Sequence, residues 1–422
     1  MLRHSITLII LLISICSYSQ STNSQTGIRK TIRYDIEFTG NRFNYFVIHK
    51  QSKLLNFEMN VRALPEDDLG NFRYRISDKQ SGMLIFQKGF STLFGEWITT
   101  PESALKNSSF YYSLFFPVQE SDFVVNIDKR SNKNNWEIIY TDSVNIDNNK
   151  FICEKPDLYD VDTVLFSGNC KEKIQILVLS EGYRKEEMKK FSVDLRRMND
   201  SLFSCRPFKE MKGHFNVVGL KVPSLESGSD IPQKGIYKNT AFNSGYNTFN
   251  TERYLTTFDS KSVYDAIDGI NWDFIIILVN TDLYGGGGFY NHYSICSAGD
   301  PRSAFVFIHE FGHSFAGLAD EYYNSEVAYD EFYNSETEPW ELNITTLNNF
   351  KSKWESMISN STPVPTPRDP LYKNKIGVFE GGGYVSKGVF SPYQTCWMKE
   401  SAAREFCPVC KEIIKQTILK YK

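Results

Sequence analysis

The sequence is poor in histidine and has no concentrated positive charge. Only six of its 422 residues are histidine, and none of them follows His313. The net charge is −3, with acids and bases mixed along the chain, and the lack of a basic stripe argues against a nucleic-acid partner. Internal repeats and heptads are also missing, which excludes solenoids and coiled coils. The sequence therefore indicates a globular protein with few histidines available for catalysis or metal binding.

No apolar run is long enough to cross a membrane. The longest N-terminal run, residues 6–15, falls short of the ~20 residues that a spanning helix needs, so we expect no stable membrane insertion. It follows a short basic start and precedes Ser17 and Ser19, which predicts a signal peptide over residues 1–19 and a mature chain that begins at Gln20. Alternatives are a buried first element or a lipid anchor on Cys16, although a bulky residue precedes that cysteine. We expect an exported protein, whether secreted, periplasmic or at the cell surface.

Seven cysteines remain after the predicted cleavage. In an exported protein, disulfides are favoured over structural zinc, and the pair Cys407 and Cys410 has no second such pair to complete a zinc ribbon. An odd number leaves at least one free thiol. Because three of the seven lie close together near the C-terminus, we expect Cys396 to bond to Cys407 or Cys410.

The length predicts two domains. Residues 20–30 are polar and indicate a flexible lead-in. Residues 31–155 show short alternating segments, such as 32–36 and 72–76, that predict an antiparallel β-sandwich without a catalytic constellation. From residue 160 to 422, the apolar strands predicted at 174–179 and 274–279 alternate with the helices predicted at 186–203 and 260–270. This rhythm predicts an α/β core with a covered sheet, and hence a mixed α+β and α/β two-domain protein.

The pattern HExxH occurs once, at His309, Glu310 and His313. On a helix, residues four apart differ by ~40° in direction, so both imidazoles project from one face and can reach one metal ion. Glu310 in the same turn can take a proton from water whose acidity the metal raises. A hydrogen-bonded structural pair is the alternative.

The surrounding residues predict the helix that this spacing needs. Asp300 suits the N-cap, Pro301 suits the first helical position, and Gly317 suits a left-handed end. An apolar stripe can anchor the helix while the histidines face a cleft. The stripe consists of Ala304, Ile308, Phe311 and Phe315.

A catalytic zinc site needs three protein ligands and an open position. Since no histidine follows His313, the third ligand must come from upstream or be another residue type. Asp320 is the favoured candidate because Gly317 can turn the chain back toward the metal, and Glu321, His292 or a water are the alternatives. Whichever carboxylate does not bind would orient an imidazole.

Residues 309–322 resemble the signature of the bacterial IgA-peptidase family of zinc metallopeptidases (metallopeptidase family 64), which are metzincin-like zincins. The resemblance extends over residues 174–410, and the N-terminal part is similar to that family's companion domain. It implies a zincin catalytic domain, one catalytic Zn2+ and endopeptidase activity on protein or glycoprotein substrates. The common metzincin pattern puts the third ligand where this chain has Ala319, which leaves Asp320 and Glu321 both open.

The resemblance also implies supporting residues. Metzincins have a methionine in a tight turn beneath the metal, and Met398 is the candidate, with ordinary core packing as the alternative. Tyr384, after three glycines, is a candidate for holding an oxyanion. Residues 285–288, together with residues 289–297 that follow them, are expected to form an edge strand that pairs with the substrate backbone, or else a plain flexible hairpin.

These observations predict an exported zinc endopeptidase with Glu310 as the general base. The first alternative is a non-catalytic glycan- or protein-binding surface protein on a zincin scaffold. The second is a metallohydrolase that acts on non-peptide amides. An intact Glu310 favours an enzyme, because a degraded site would be expected to lose its base before its fold.

Overall fold

The computed structural model describes residues 31–55, 57–59, 68–323 and 333–421. The predicted signal peptide and lead-in lie outside these residues. Within them, an N-terminal domain with antiparallel sheets precedes a C-terminal domain with a mixed sheet. Among the helices that the structure describes, none has the length and apolar character needed to span a membrane.

The N-terminal domain contains two antiparallel sheets that share one apolar core. The sheets have the strand orders β2-β1-β5 and β4-β3-β6-β7, and a short helix, α1, precedes β5. Phe38 in β1 packs on Phe72 in β3 with ring centroids 5.1 Å apart, which joins the two sheets. The elements are β1 (Thr31–Gly40), β2 (Tyr45–Leu55), β3 (Phe72–Asp78), β4 (Leu84–Phe90), α1 (Leu93–Trp97), β5 (Ser108–Pro117), β6 (Phe123–Arg130) and β7 (Trp136–Val144).

The C-terminal domain is built on a six-stranded sheet with helices and two small hairpins around it. Its elements are β8 (Asp160–Leu165), β9 (Ile174–Glu181), α2 (Met188–Leu202), β10 (Phe215–Lys221), β11 (Ser244–Gly245), β12 (Thr256–Thr257), α3 (Ser260–Ala266), β13 (Phe274–Val279), β14 (Gly286–Gly288), β15 (Tyr293–Ser297), α4 (Ser303–Ala316), β16 (Phe379–Gly382), β17 (Val385–Ser391) and α5 (Pro408–Lys420).

The six-stranded sheet has the order β14-β15-β13-β9-β10-β8. The four inner strands run parallel, whereas β14 and β8 are antiparallel edge strands. Every residue of β9 and β13 is buried, as expected for parallel strands covered on both faces. The predictions of buried strands at 174–179 and 274–279 are therefore confirmed.

Hydrogen bonds link the two domains. The amide of Ser91, just after β4, donates to the carbonyl oxygen of Tyr290 at 2.9 Å. The indole of Trp340 donates to the side-chain oxygen of Asn71 at 2.7 Å. Tyr290 and Trp340 both lie beside Gly317, so these hydrogen bonds bring Asn71 and Ser91 near the end of the helix that carries the HExxH pattern.

Candidate metal centre

Helix α4 carries the HExxH pattern but begins two residues later than the sequence suggested. The prediction of Pro301 as the first helical residue is wrong, because the helix starts at Ser303. Asp300 instead closes the preceding turn: its carbonyl accepts from the Ser303 amide at 2.9 Å and its carboxylate from the Arg302 amide at 2.8 Å. The helix ends as expected at Gly317, whose φ of 60° suits a residue without Cβ.

The apolar face of α4 packs on the central sheet. Phe315 lies against Phe274 of β13, with ring centroids 4.7 Å apart, and Phe311 packs on Phe208 at 5.7 Å. This packing fixes the rotation of the helix. Its other side is left facing a cleft, and the two histidines project there with their Nε2 atoms 3.2 Å apart.

Backbone carbonyls determine which nitrogen of each neutral imidazole carries the proton. His309 donates from Nδ1 to the carbonyl oxygen of Trp397 at 2.8 Å, and His313 donates from Nδ1 to that of Leu318 at 2.5 Å. A neutral ring that donates from Nδ1 carries its lone pair on Nε2. Both Nε2 atoms are thus presented as acceptors toward the same point, in the manner of metal-ligating histidines.

Asp320 brings a third acceptor to that point. After the turn at Gly317, its Oδ1 lies 3.0 Å from Nε2 of His309 and 3.5 Å from Nε2 of His313. Three acceptor atoms repel one another unless a positive charge lies among them. Burial lowers the pKa of His313, but Asp320 outweighs that effect and raises it to about 9, so the site favours positive charge. The residues fit a zinc ion with one open position.

Glu310 lies beside the histidine pair. One of its carboxylate oxygens and the two ring nitrogens are all within 4.8 Å of one another. Burial raises the pKa of this carboxyl group. A Cβ added at Gly286 would come within 2.9 Å of its Oε1, so glycine in β14 gives the carboxylate its room.

The other two candidates for the third ligand lie elsewhere. Glu321 is completely buried and turns away from the histidines: its Oε1 accepts from the amide of Asn343 at 3.1 Å and from the thiol of Cys410 at 3.1 Å. His292 lies in an aromatic core, stacked on Tyr264 at 5.8 Å, and burial lowers its pKa to about 3. The geometry therefore favours Asp320.

Met398 lies beneath the middle of α4. It is fully buried, and a Cβ added at Gly312 would come within 2.9 Å of its sulfur. Its carbonyl oxygen accepts from the amide of Glu321 at 2.7 Å, next to Asp320 in the chain. The preceding carbonyl, that of Trp397, is the acceptor of His309. This turn thus contacts the helix, one histidine and the segment of the third candidate ligand.

Tyr384 lies at the site, but the contact that its hydroxyl makes differs from the predicted one. Its hydroxyl donates to Oδ2 of Asp320 at 2.6 Å. The hydroxyl therefore orients a carboxylate in this structure, and the predicted contact with an oxyanion would require it to move.

The histidine pair lies on the wall of a cleft of about 300 Å3 that both domains line. Asn71, Ser91 and Glu96 come from the N-terminal domain. Strand β14 forms the edge of the sheet at the cleft, and Tyr254 makes one parallel bridge to Gly286 there. The pairing of a substrate backbone with this edge stays a prediction.

Comparison with known families gives the same assignment for both domains. A sequence model of the family described as IgA peptidase M64 matches residues 163–374, about half of the chain. The chain belongs to this family. A second model, described as the peptidase M64 N-terminus, matches residues 24–141. Among curated proteins the search found no match.

Membership makes the chain a peptidase, a hydrolase whose substrates are proteins. The family match covers the HExxH helix and Asp320 but ends before Tyr384 and Met398. The contacts of Tyr384 and Met398 with the site are therefore shown by the structure and not by the family match.

Sequence reasoning missed cleft residues that lie far from the motif along the chain. Arg253 lines the cleft, and its guanidinium lies 5.9 Å from the ring centroid of Tyr322. Tyr254 also lines the cleft and donates its hydroxyl to Glu96, which links the two domains across it. No local pattern marks these residues, because only the fold brings them to the motif.

Proposed function

We propose that this family member is an exported, zinc-dependent endopeptidase. The convergence of the two histidine Nε2 atoms with Oδ1 of Asp320, beside Glu310, is the observation that carries the proposal. Two imidazoles and a carboxylate are a ligand set typical of catalytic zinc.

His309, His313 and Asp320 would hold the ion and leave one position open for water or substrate. When bound, zinc would acidify the attacking water and polarise the scissile carbonyl. Glu310 would accept a proton from that water and pass it to the leaving amine. A carboxyl group whose pKa is raised by burial is suited to both steps, because it binds the proton more firmly than an exposed one.

The proposed architecture is a β-sandwich followed by a metzincin-like zincin domain. The position of Met398 beneath Gly312 supports the second part, and the apolar core shared by the two N-terminal sheets supports the first. The N-terminal domain would do more than accompany the catalytic one, since Asn71 and Glu96 form part of the cleft wall. It would therefore influence which substrates enter.

The proposed substrates are protein or glycoprotein chains outside the cytoplasm. The cleft has an edge strand on one side, which suits an extended backbone, and polar groups from both domains on its walls. Export rests on the sequence of residues 1–19 alone. Intact-mass measurement of secreted or envelope protein should give a chain that begins at Gln20, and a cytoplasmic protein that keeps Met1 would contradict export.

The test of the function is a cleavage profile on a proteome-derived peptide library. The purified protein should cut internal peptide bonds, stop after a zinc chelator is added, and recover when zinc is restored. A protein that binds glycans or proteins without cutting any peptide would support the non-catalytic alternative. Hydrolysis limited to non-peptide amides would support the third hypothesis and contradict the endopeptidase.

A further inference from the structure

Four buried side chains that can bind metal form a group distinct from the histidine pair. We call Glu321, Cys396, Cys407 and Cys410 the thiol–carboxylate cluster. One ligand atom from each lies within 4.8 Å of the others, and all four side chains are at most 3% exposed. The mechanism proposed above uses none of them.

Three separate parts of the chain build the cluster. Cys407 caps the N-terminus of α5 and Cys410 lies in its first turn, so the two thiols share one end of that helix. Cys396 comes from the segment that leads to Met398. Glu321 directly follows Asp320. The spacing in sequence shows only the Cys407 and Cys410 pair, which is why the sequence favoured disulfides.

The sulfur positions do not correspond to a disulfide. Sγ of Cys396 and Sγ of Cys410 are 3.8 Å apart, whereas bonded sulfurs lie ~2.05 Å apart, and all seven described cysteines are free. The expected bond from Cys396 to Cys407 or Cys410 is therefore absent from the structure. Two sulfurs that bind one zinc at ~2.3 Å with a tetrahedral angle would be about 3.8 Å apart.

Backbone amides point at the sulfurs in the way that thiolates require. The amides of Met398 and Cys407 lie 3.5 and 3.2 Å from Sγ of Cys396, and the amide of Cys410 lies 3.4 Å from Sγ of Cys407. The N-terminal end of α5, a helix of 13 residues, adds partial positive charge on the same side. These donors and the helix end partly offset the cost of burying negative charge on Cys396 and Cys407.

One carboxylate oxygen of Glu321 is buried and unsatisfied by hydrogen bonds from the described residues. Its side chain is fully buried, and Oε2 has no hydrogen-bond partner among the described residues. A buried carboxylate oxygen without a partner is costly, so such groups are normally paired or bound to metal. Oε1 already contacts Cys410, which aims the carboxylate into the cluster.

We propose that the thiol–carboxylate cluster binds a second zinc ion, with four protein ligands and no position open for substrate. Thiolates select soft or borderline ions, and a closed set of four is typical of structural zinc. Three thiolates and a carboxylate outweigh the charge of one zinc ion. The side chain of Lys399 interacts electrostatically with Glu321, so a further positive charge lies close by.

The second ion would position the first site. It would hold Cys396, two residues before Met398, and so fix the turn whose Trp397 carbonyl accepts from His309. It would also hold Glu321, whose amide donates to the Met398 carbonyl and whose neighbour is Asp320. Two of the proposed ligands of the first site thus depend on the geometry of the second.

The test is the metal content and zinc X-ray absorption spectrum of the purified protein. About two zinc ions per chain are expected, with part of the signal from sulfur at ~2.3 Å. The double variant His309→Ala/His313→Ala should keep about one zinc ion per chain, and its spectrum should become richer in sulfur. Loss of all zinc from this variant would overturn the proposal.

Cysteine variants provide a matched comparison. Cys407→Ser should lower the zinc content to about one ion per chain or less. Cys205→Ser should retain about two, because Cys205 is also buried but lies outside the cluster and donates to the Leu202 carbonyl in its own turn. Equal zinc content in the two variants would contradict the proposal, as would an unreduced peptide map that shows Cys396 in a disulfide. If Cys407→Ser does not fold, the double histidine variant still decides. If the histidine site bound no zinc, the unchanged protein and the double histidine variant would both contain about one zinc ion with sulfur ligands, so the two proposals can fail separately.

Discussion

The hydroxyl of Tyr384 donates a 2.6 Å hydrogen bond to Oδ2 of Asp320, while Oδ1 of the same carboxylate faces the histidine pair. Tyr384 therefore orients Asp320, the third candidate ligand, through the oxygen that does not face the histidines. This arrangement depends on the hairpin of β16 and β17, because Tyr384 lies at its turn with a φ of 68°. A hydrogen bond to the carboxylate oxygen that does not face the histidines is expected to affect metal affinity more than the rate of the chemical step.

Tyr384→Phe should therefore weaken zinc binding by about 10–100-fold, because it removes the hydrogen bond that orients Asp320. The measurement is competition with a graded zinc chelator, together with kcat at saturating zinc. Tyr333→Phe is the matched control, since that hydroxyl also lies at the cleft but donates to Glu341. A loss of kcat with unchanged zinc affinity would instead support the oxyanion role.

Glu310→Gln should keep zinc and fold but lower kcat by about 100–10,000-fold, the range that a general base contributes. Its carboxylate lies beside the histidines and, in the proposed mechanism, acts on water and does not bind the metal. Glu400→Gln, at an exposed position on the cleft, should remain active. Activity of Glu310→Gln within tenfold of the unchanged protein, at equal zinc content, would reject the assignment.

The sequence predicted the parts of the site that follow from local spacing. His309, Glu310 and His313 share one helical turn, and the end of that helix at Gly317 follows from the residue's own conformational freedom. The start of the helix was misplaced because Asp300 and Pro301 suit a preceding turn as well as they suit an N-cap.

Long-range contacts could not be predicted in the same way. The choice between Asp320 and Glu321 depends on the path of the chain after Gly317. The cysteine thiol that donates a hydrogen bond to Glu321 belongs to a residue far along the sequence. The contribution of Glu96 to the cleft likewise depends on how the two domains meet. Adjacent carboxylates look equivalent in sequence, and only the packing around them separates their environments.

Asp320→Ala and Glu321→Gln should separate the two environments. Asp320→Ala leaves two histidine ligands, so zinc at the first site should be lost at chelator concentrations that the unchanged protein tolerates, by well over the ~100-fold of an indirect effect. Glu321→Gln should retain the first-site ion more firmly than Asp320→Ala does. Zinc content and peptidase activity are measured together along the chelator series. The reverse order would show that the wrong carboxylate has been assigned.

The last prediction concerns the contact between Gly312 and Met398, which places the turn beneath the helix. A Cβ at Gly312 would lie 2.9 Å from the methionine sulfur, so Gly312→Ala should overpack this contact and lower the free energy of unfolding by about 1–3 kcal/mol. Elsewhere in a helix the same change is favourable by up to about 1 kcal/mol, so the sign distinguishes the two effects.

Gly213→Ala is the control for that variant, because an added Cβ there meets no atom within 4 Å. Its stability should stay within about 0.5 kcal/mol of the unchanged protein. The double variant Gly312→Ala/Met398→Ala should be less destabilised than the sum of its single changes, since the shortened side chain leaves room for the new methyl group. Chemical denaturation of the unchanged protein, the two single variants and the double variant measures the coupling between Gly312 and Met398. Strictly additive effects would mean that the two residues do not press on each other, and Met398 would then be ordinary core packing with no part in placing the histidines.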